Sequence, residues 1–242
     1  MSNDHSVLKP RETSPQPIES LHVNDKGSNE TRWWWIRHAP VPDTVRIYGQ
    51  SDVDCDCSSA DVFAALASEL PRDAVWLTSN LSRTRQTAAA ILAAMNHAAE
   101  PVAIAEFAEQ HLGEWQGQVR ADFFAGRDRA RFPFWFGPAD ERPPGGESFA
   151  EVCARVAPAI ERLNKEHAGR NIVAIAHGGS IRAALGHSLG LDPDAALAFV
   201  VDNCSVTRID RIEKAGIWRV AAVNHRPWLG GAGKGAGSGV VA

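Results

Sequence analysis

The sequence has few cysteines and no long apolar run. Cys55, Cys57, Cys153 and Cys204 are the only four in 242 residues, too few and too scattered for a disulfide framework. Cys55 and Cys57 stand one residue apart, too close for an ordinary bridge, and lack the further Cys or His that a zinc site needs. The expectation is reduced thiols, no metal site and a cytoplasmic location. No apolar stretch approaches the roughly 20 residues that span a bilayer, so no membrane partner is expected. The opening "MSNDHSVLKPRETSPQPIES" has no apolar h-region and does not read as a secretory signal. Basic residues are not in surplus either. A net charge of −4 speaks against a nucleic-acid partner.

Several motifs are missing or incomplete. No internal repeat is present. The Gly-rich run "GGAGKGAGSG" at 230–239 lacks the spacing of a phosphate loop, and no Ser or Thr follows Lys234. No Gly-x-Ser-x-Gly elbow occurs, which argues against a serine esterase.

What is there is ordinary for a globular chain: 44% hydrophobic and 22% charged residues. Residues 1–31 are polar and Pro-bearing and read as a disordered tail. Residues 230–242 read as a flexible Gly-rich tail. Residues 32–229 are then one domain, with 118–146 as an inserted lid.

Short apolar runs bounded by turn residues predict strands at 33–37, 74–79, 101–105 and 171–177. Two later runs, "SVTRIDRIE" and "IWRVAAVN", alternate around Lys214-Ala215-Gly216 and predict a hairpin. Helices are predicted over 59–70, 82–97, 147–167 and 180–189. Ser82 is a candidate N-cap for the second of these, and Ser148 or Gly146 for the third. Pro158 falls inside the third and predicts a kink or break. Strand–helix alternation implies an α/β fold, a three-layer α/β/α sandwich around a mostly parallel sheet. Three consecutive tryptophans, Trp33, Trp34 and Trp35, fit a central strand covered on both faces. Partial exposure is expected only for Trp33. The competing reading is a binding module with the indoles as an exposed platform.

In open α/β sheets, ligands bind beyond the carboxyl ends of the strands. The first predicted strand ends at Arg37-His38. The second is followed by Arg83 and Arg85. The third is followed by Glu106, Glu109 and His111. The fourth ends at His177-Gly178-Gly179. Arginine forks match phosphate oxygens. A histidine nitrogen is a nucleophile at neutral pH when its other nitrogen is held. Glycines at a helix start let backbone N–H groups approach an anion. A carboxylic acid can protonate a leaving oxygen. Together these suit phosphoryl transfer through a phosphohistidine. Each piece alone is weak: nine histidines among many arginines give roughly 0.7 Arg-His pairs by chance. Chemistry alone does not say whether His38 or His177 attacks.

Taken in order, these residues resemble the histidine phosphatase superfamily, phosphoglycerate mutase-like branch. Arg37-His38-Ala39 stands where that family has Arg-His-Gly. Ser79-Asn80-Leu81-Ser82-Arg83-Thr84-Arg85-Gln86-Thr87-Ala88 matches a second signature. Glu109, Gly113, Trp115 and Gly117 match a third, and His177-Gly178-Gly179 a fourth. Smaller matches are "YGQSD" (48–52), "GGES" (145–148), Asn203 and Ser205. The resemblance implies that His38 is the nucleophile, that Arg37, Arg83, His177 and Gly178 bind the phosphoryl group, and that Glu109 is the proton donor. It implies a small-molecule phosphate ester as substrate and no cofactor or metal. Arg85 is expected on the surface, and Glu106 is the weaker candidate acid.

The departure from the pattern is Ala39-Pro40 after the histidine, which places a methyl beside the expected phosphate pocket. Only about ten residues separate His38 from "YGQSD". That layout is similar to the phosphatases, nearest the α-ribazole phosphatase type. The alternatives are mutase-type transfer or a catalytically weak phosphate-binding relative. The lid aromatics Phe132, Phe134, Trp135 and Phe136 are expected to pack the lid onto the sheet. Alternation allows at least one of them to line the pocket and favour an apolar leaving group. Oligomeric state is not legible.

Overall fold

The computed structural model describes residues 30–128 and 132–230. The expected tails lie outside the described residues except at their inner edges. There Glu30 and Thr31 belong to the first strand and Gly230 to the last helical turn.

Strands β1 (Glu30–Arg37), β2 (Ala74–Thr78), β3 (Val102–Ala103), β4 (Asn171–Ala176), β5 (Val206–Ile212) and β6 (Ile217–His225) form one sheet in the order β3-β2-β4-β1-β5-β6. The first four in that order run parallel, and the β5–β6 hairpin is antiparallel. Helices α1 (Ala60–Glu69), α2 (Ser82–Ala94) and the short α7 (Pro227–Gly230) cover one face. Helices α4 (Phe149–Glu166), α5 (Gly178–Leu189) and α6 (Pro193–Ala196) cover the other, and α3 (Arg120–Ala125) lies in the segment 118–146. The sandwich expectation holds.

β1 is longer than its apolar run because the polar Thr31 has a fixed place. It is fully buried, donating to Glu213 Oε1 at 2.6 Å and accepting from the N–H of Gly169 at 2.9 Å. Trp33 and Trp35 stack at 5.2 Å in the core beneath α4 and α5. Trp34 packs in the opposite core with Ile36, because successive strand side chains alternate. All three indoles are buried, Trp33 included, so the platform reading fails on geometry.

α4 begins at Ser148 in a capping box with Glu151. It runs through Pro158 without a break in the helix. The carbonyl that loses its donor to Pro158, on Ala154, belongs to an exposed residue. α2 begins one residue earlier than a Ser82 cap would give. Leu81 holds the N-cap position, and Asp52 accepts both the N–H and the hydroxyl of Ser82 at 2.6 and 2.7 Å.

Candidate active site

The carboxyl ends of β1, β2 and β4 meet at one point. Arg37 ends β1, Ser79 follows β2, and His177 follows β4 as the N-cap of α5. His38 and His177 are both fully buried, with ring centroids 5.1 Å apart. Arg83, in the first turn of α2, is also fully buried.

The His38 ring is oriented by its own loop. Nδ1 lies 2.7 Å from the carbonyl oxygen of Ala39 and so carries the proton. That leaves a lone pair on Nε2, which has no partner among the described residues. The loop itself is held on three sides. The His38 N–H donates to Ala176 O at 3.0 Å, Asn203 Nδ2 donates to His38 O at 2.8 Å, and the Ala39 N–H donates to Thr87 Oγ1 at 2.9 Å.

The Ala39 methyl does not border a phosphate pocket. It is fully buried in the core with Trp34, Ile36, Phe63 and Ala88, on the α1–α2 side. Ala39 is tolerated because this position faces packing, not ligand.

Arg83 spends its fork on the backbone: Nη1 donates to Ser51 O at 2.9 Å and Nη2 to Gly49 O at 2.7 Å. Its Nε donates to His177 Nδ1 at 3.3 Å. The His177 proton therefore sits on Nε2, which donates to Ser79 Oγ at 2.8 Å. Burial pushes the pKa of His38 well below its ordinary value, and Arg37 and Arg83 push it further. His177 is lowered in the same way, by burial and then by Arg83, His38 and Arg37. Both rings are neutral at neutral pH.

Glu109 is buried beside the same helix start. Its Oε1 accepts the N–H of Gln110 and of Gly179, each at 3.0 Å. Oε2 has no hydrogen-bond partner among the described residues and faces Gly178, with Arg37 Nε and Arg182 Nη1 around the same spot. A Cβ on Gly179 would meet Glu109 Oε1 at 2.3 Å, so any side chain there displaces the carboxylate. The Glu109 carbonyl is clamped by Arg155 Nη2 at 3.0 Å and by Gln50 Nε2 at 2.8 Å. Glu147 of "GGES" orients that Arg155, accepting from it at 2.8 Å.

Arg37, Gly178, Glu109, Tyr48, Trp135 and Arg182 line a cavity of about 150 Å³. The structure thus gathers His38, His177, Arg37, Arg83, Glu109 and Gly178. It leaves out Arg85, exposed and bonded to Asn80 O and Ser82 Oγ, and Glu106, paired with Arg162 at 2.9 Å. His111 does not line the cavity. Trp135 and Phe136 both line it, although they are adjacent, because the chain runs through turns and bends there and not a strand. Phe134 is exposed. Sequence reasoning missed Arg182 and Arg155. Arg182 carried a signal, since it stands one helical turn after Gly178 at the mouth of the site. Arg155 carried none beyond its place on α4.

The arrangement can bind an anion between guanidiniums and place it against an unpartnered imidazole nitrogen. No cluster of three or more potential metal ligands occurs among the described residues, and no helix there is long and apolar enough to cross a membrane.

Comparison with known proteins agrees with this chemistry. Residues 33–225 match the model of the histidine phosphatase superfamily, branch 1. A glucosyl-3-phosphoglycerate phosphatase of Mycolicibacterium vanbaalenii is 32% identical over 159 residues, 62% of this chain and 69% of that one. A metal-independent phosphoserine phosphatase of Arabidopsis thaliana is 31% identical over 57% of this chain and 59% of its own length. A mycobacterial glucosyl-3-phosphoglycerate phosphatase solved with inorganic phosphate superposes with a TM-score of 0.68 at 27% identity, covering 82% of this chain and 99% of that one. Matches of lower identity include a probable phosphoglycerate mutase of Photorhabdus laumondii, 26% identical over 76% of this chain and 80% of that one. The chain belongs to branch 1 of the histidine phosphatase superfamily.

Proposed function

We propose that the protein is a metal-independent phosphatase that hydrolyses a small phosphomonoester through a phosphohistidine on His38. The observation that carries this is the unpartnered, buried Nε2 of His38, neutral and fixed in orientation by its Nδ1 contact to Ala39 O. Of the two histidines, His177 has both nitrogens engaged, so His38 attacks.

In the first step Nε2 attacks phosphorus and the ester P–O bond breaks. Arg37, Arg83 and the Gly178 end of α5 balance the phosphoryl charge. Glu109 gives its proton to the departing alkoxide from Oε2, the oxygen not occupied by backbone donors. Glu109, now ionised, takes a proton from water as the water oxygen attacks phosphorus. The N–P bond breaks, and phosphate and neutral His38 are restored. His177 stays neutral and holds the Arg83 side chain through Nδ1.

The phosphatases named above support hydrolysis, and mutases among the matches keep phosphoryl transfer between substrate oxygens as the second reading. The test is phosphate release from p-nitrophenyl phosphate and from 3-phosphoglycerate, with EDTA present and for His38→Ala alongside. Release that persists in EDTA and disappears in His38→Ala is expected. Isomerisation of 3-phosphoglycerate without release would move the assignment to a mutase, and loss of all turnover in EDTA would overturn the phosphohistidine scheme.

A further inference from the structure

Cys55, Cys57 and Cys204 meet in the α1–α2 core, the same core that takes the Ala39 methyl. Cys55 and Cys57 lie 3.6 Å apart, sulfur to sulfur. The sequence "DVDCDC" (52–57) explains the approach. Burial alternates along it, with Asp52, Asp54 and Asp56 exposed and Val53, Cys55 and Cys57 half-buried. Residues two apart on such a segment share a face, so both thiols turn inward together. Being half-buried, both stay within reach of a small solute.

This pair touches the loop that orients the nucleophile. Cys55 Sγ stands 3.3 Å from Arg83 O, 3.4 Å from Gln86 Oε1 and 3.6 Å from Thr87 Oγ1. Thr87 Oγ1 donates to Arg83 O at 2.7 Å and accepts the Ala39 N–H at 2.9 Å. Asp56, between the two cysteines, donates its N–H to Pro40 O at 2.7 Å. The bonds that hold residues 39 and 40 from this side therefore run through Thr87, in contact with Cys55, and through Asp56. The Ala39 carbonyl fixes His38 Nδ1, so a shift of this loop turns the imidazole.

The four thiols are not equivalent. Cys204 is buried, and burial pushes its thiol up to about 12. Cys153 packs against the core on the other face of the sheet, away from the other three. Burial and the hydrogen bond with Cys55 push the Cys57 thiol up to about 12. Cys57 is thus held as the thiol, and Cys55 is the one that meets an oxidant first.

We propose that Cys55 and Cys57 form a reversible oxidation site, which hydrogen peroxide converts to a Cys55–Cys57 disulfide that displaces the His38 loop and lowers activity. The Cys55 thiolate attacks one peroxide oxygen and the O–O bond breaks. Cys55 becomes a sulfenic acid, and the departing hydroxide leaves as water with the proton that Cys55 gave up. Cys57 sulfur then attacks Cys55 sulfur, and the S–O bond breaks. Its hydroxide leaves as a second water with the Cys57 proton. Two thiols lose two electrons, and one peroxide becomes two waters. The sulfurs close from 3.6 Å to about 2.05 Å, which draws Cys55 off Arg83 O and Thr87 and moves Asp56. One intervening residue makes a small, constrained ring, and constrained bridges are readily reduced. The pair therefore acts as a switch and not as a structural bridge.

The test treats the full chain with a small excess of hydrogen peroxide, then alkylates free thiols and maps them by digestion and mass spectrometry. A Cys55–Cys57 bridge is expected, with Cys153 and Cys204 alkylated. Turnover of p-nitrophenyl phosphate should fall at least about 10-fold and return with dithiothreitol. Cys55→Ser and Cys57→Ser should keep the reduced rate and lose the reversible inhibition. A bridge to Cys204, or sulfinic acid with no bridge, would overturn the proposal. So would a Cys55–Cys57 bridge that leaves turnover unchanged, or inhibition that persists in both serine variants. If the reduced chain hydrolyses no ester, the phosphatase reading fails on its own. The coupling is then read by calorimetric binding of inorganic phosphate to the reduced and oxidised chains. Weaker binding after oxidation supports the proposal, and equal binding overturns it.

Discussion

The carboxylate of Glu109 accepts the N–H of Gly179 at 3.0 Å, which ties this side chain to the first turn of the helix that His177 opens. One contact thus joins the carboxyl ends of two separate chain segments and fixes which oxygen faces the cavity. Gly179→Ala puts a methyl where Oε1 now sits, 2.3 Å from the ideal Cβ. The carboxyl must move, and activity should fall about 100-fold with the chain still folded. Steady-state rates beside a circular dichroism melt check this. Unchanged rates would show that Oε1 does not set the acid.

Glu109→Gln removes the proton but keeps the size of the side chain. The rate on an alkyl phosphate should fall by about 10²–10⁴-fold, while p-nitrophenyl phosphate, whose leaving group needs no proton, should lose far less. Comparing kcat on the two substrates decides it. Equal losses would argue that Glu109 positions substrate and donates no proton.

Ala39 departs from the family's glycine, and its methyl lies in the α1–α2 core, away from the cavity. Ala39→Gly should therefore cost about 1–2 kcal/mol of stability through a lost buried methyl and a freer unfolded chain. It should leave kcat/KM within about twofold. Urea unfolding and phosphatase assays on the same preparation test both halves. A large gain in activity would return Ala39 to the phosphate pocket.

Acid should act on fold before it acts on the nucleophile. His38 and His177 are neutral when folded, with pKa values well below 6.5, and they take up protons on unfolding as pH falls through 6.5. Their contribution to stability is whole above pH 6.5 and is drawn down below it. Unfolding free energy should be level from pH 8 to 6.5 and decline toward pH 5. The acid limb of kcat/KM should not fall at pH 6.5, since His38 stays neutral there. An acid limb centred on 6.5 would mean that the nucleophile titrates as an exposed histidine.

The sequence carried the parts of this site that sit at strand ends. Arg37-His38 and His177-Gly178 were legible because apolar runs stop there and ligand sites follow such ends. Choosing between the histidines was not legible. Both end strands, and only the hydrogen bonds to Nδ1 and Nε2 separate them. The fate of Ala39 was also hidden, since the turn after β1 directs its side chain to a core that no local pattern reveals. β1 was read three residues short because Glu30, Thr31 and Arg32 are polar. Thr31 is buried by partners at Gly169 and Glu213, distant in sequence. At least one aromatic of 132–136 was expected at the pocket, and Trp135 and Phe136 both line it; which ones was not legible because their segment has no strand period. Arg155 holds the Glu109 carbonyl from a helix 46 residues away, beyond the reach of any spacing argument.

The central claim is that His38, and not His177, carries the phosphoryl group. Rapid quench of the enzyme with a ³²P-labelled phosphomonoester, followed by digestion in alkali and mass spectrometry, reads this directly. The account predicts an acid-labile, alkali-stable phosphate on the peptide that contains His38, formed within the first turnover and absent in His38→Ala. Label on His177, or full turnover with no phosphoenzyme at any quench time, would contradict it.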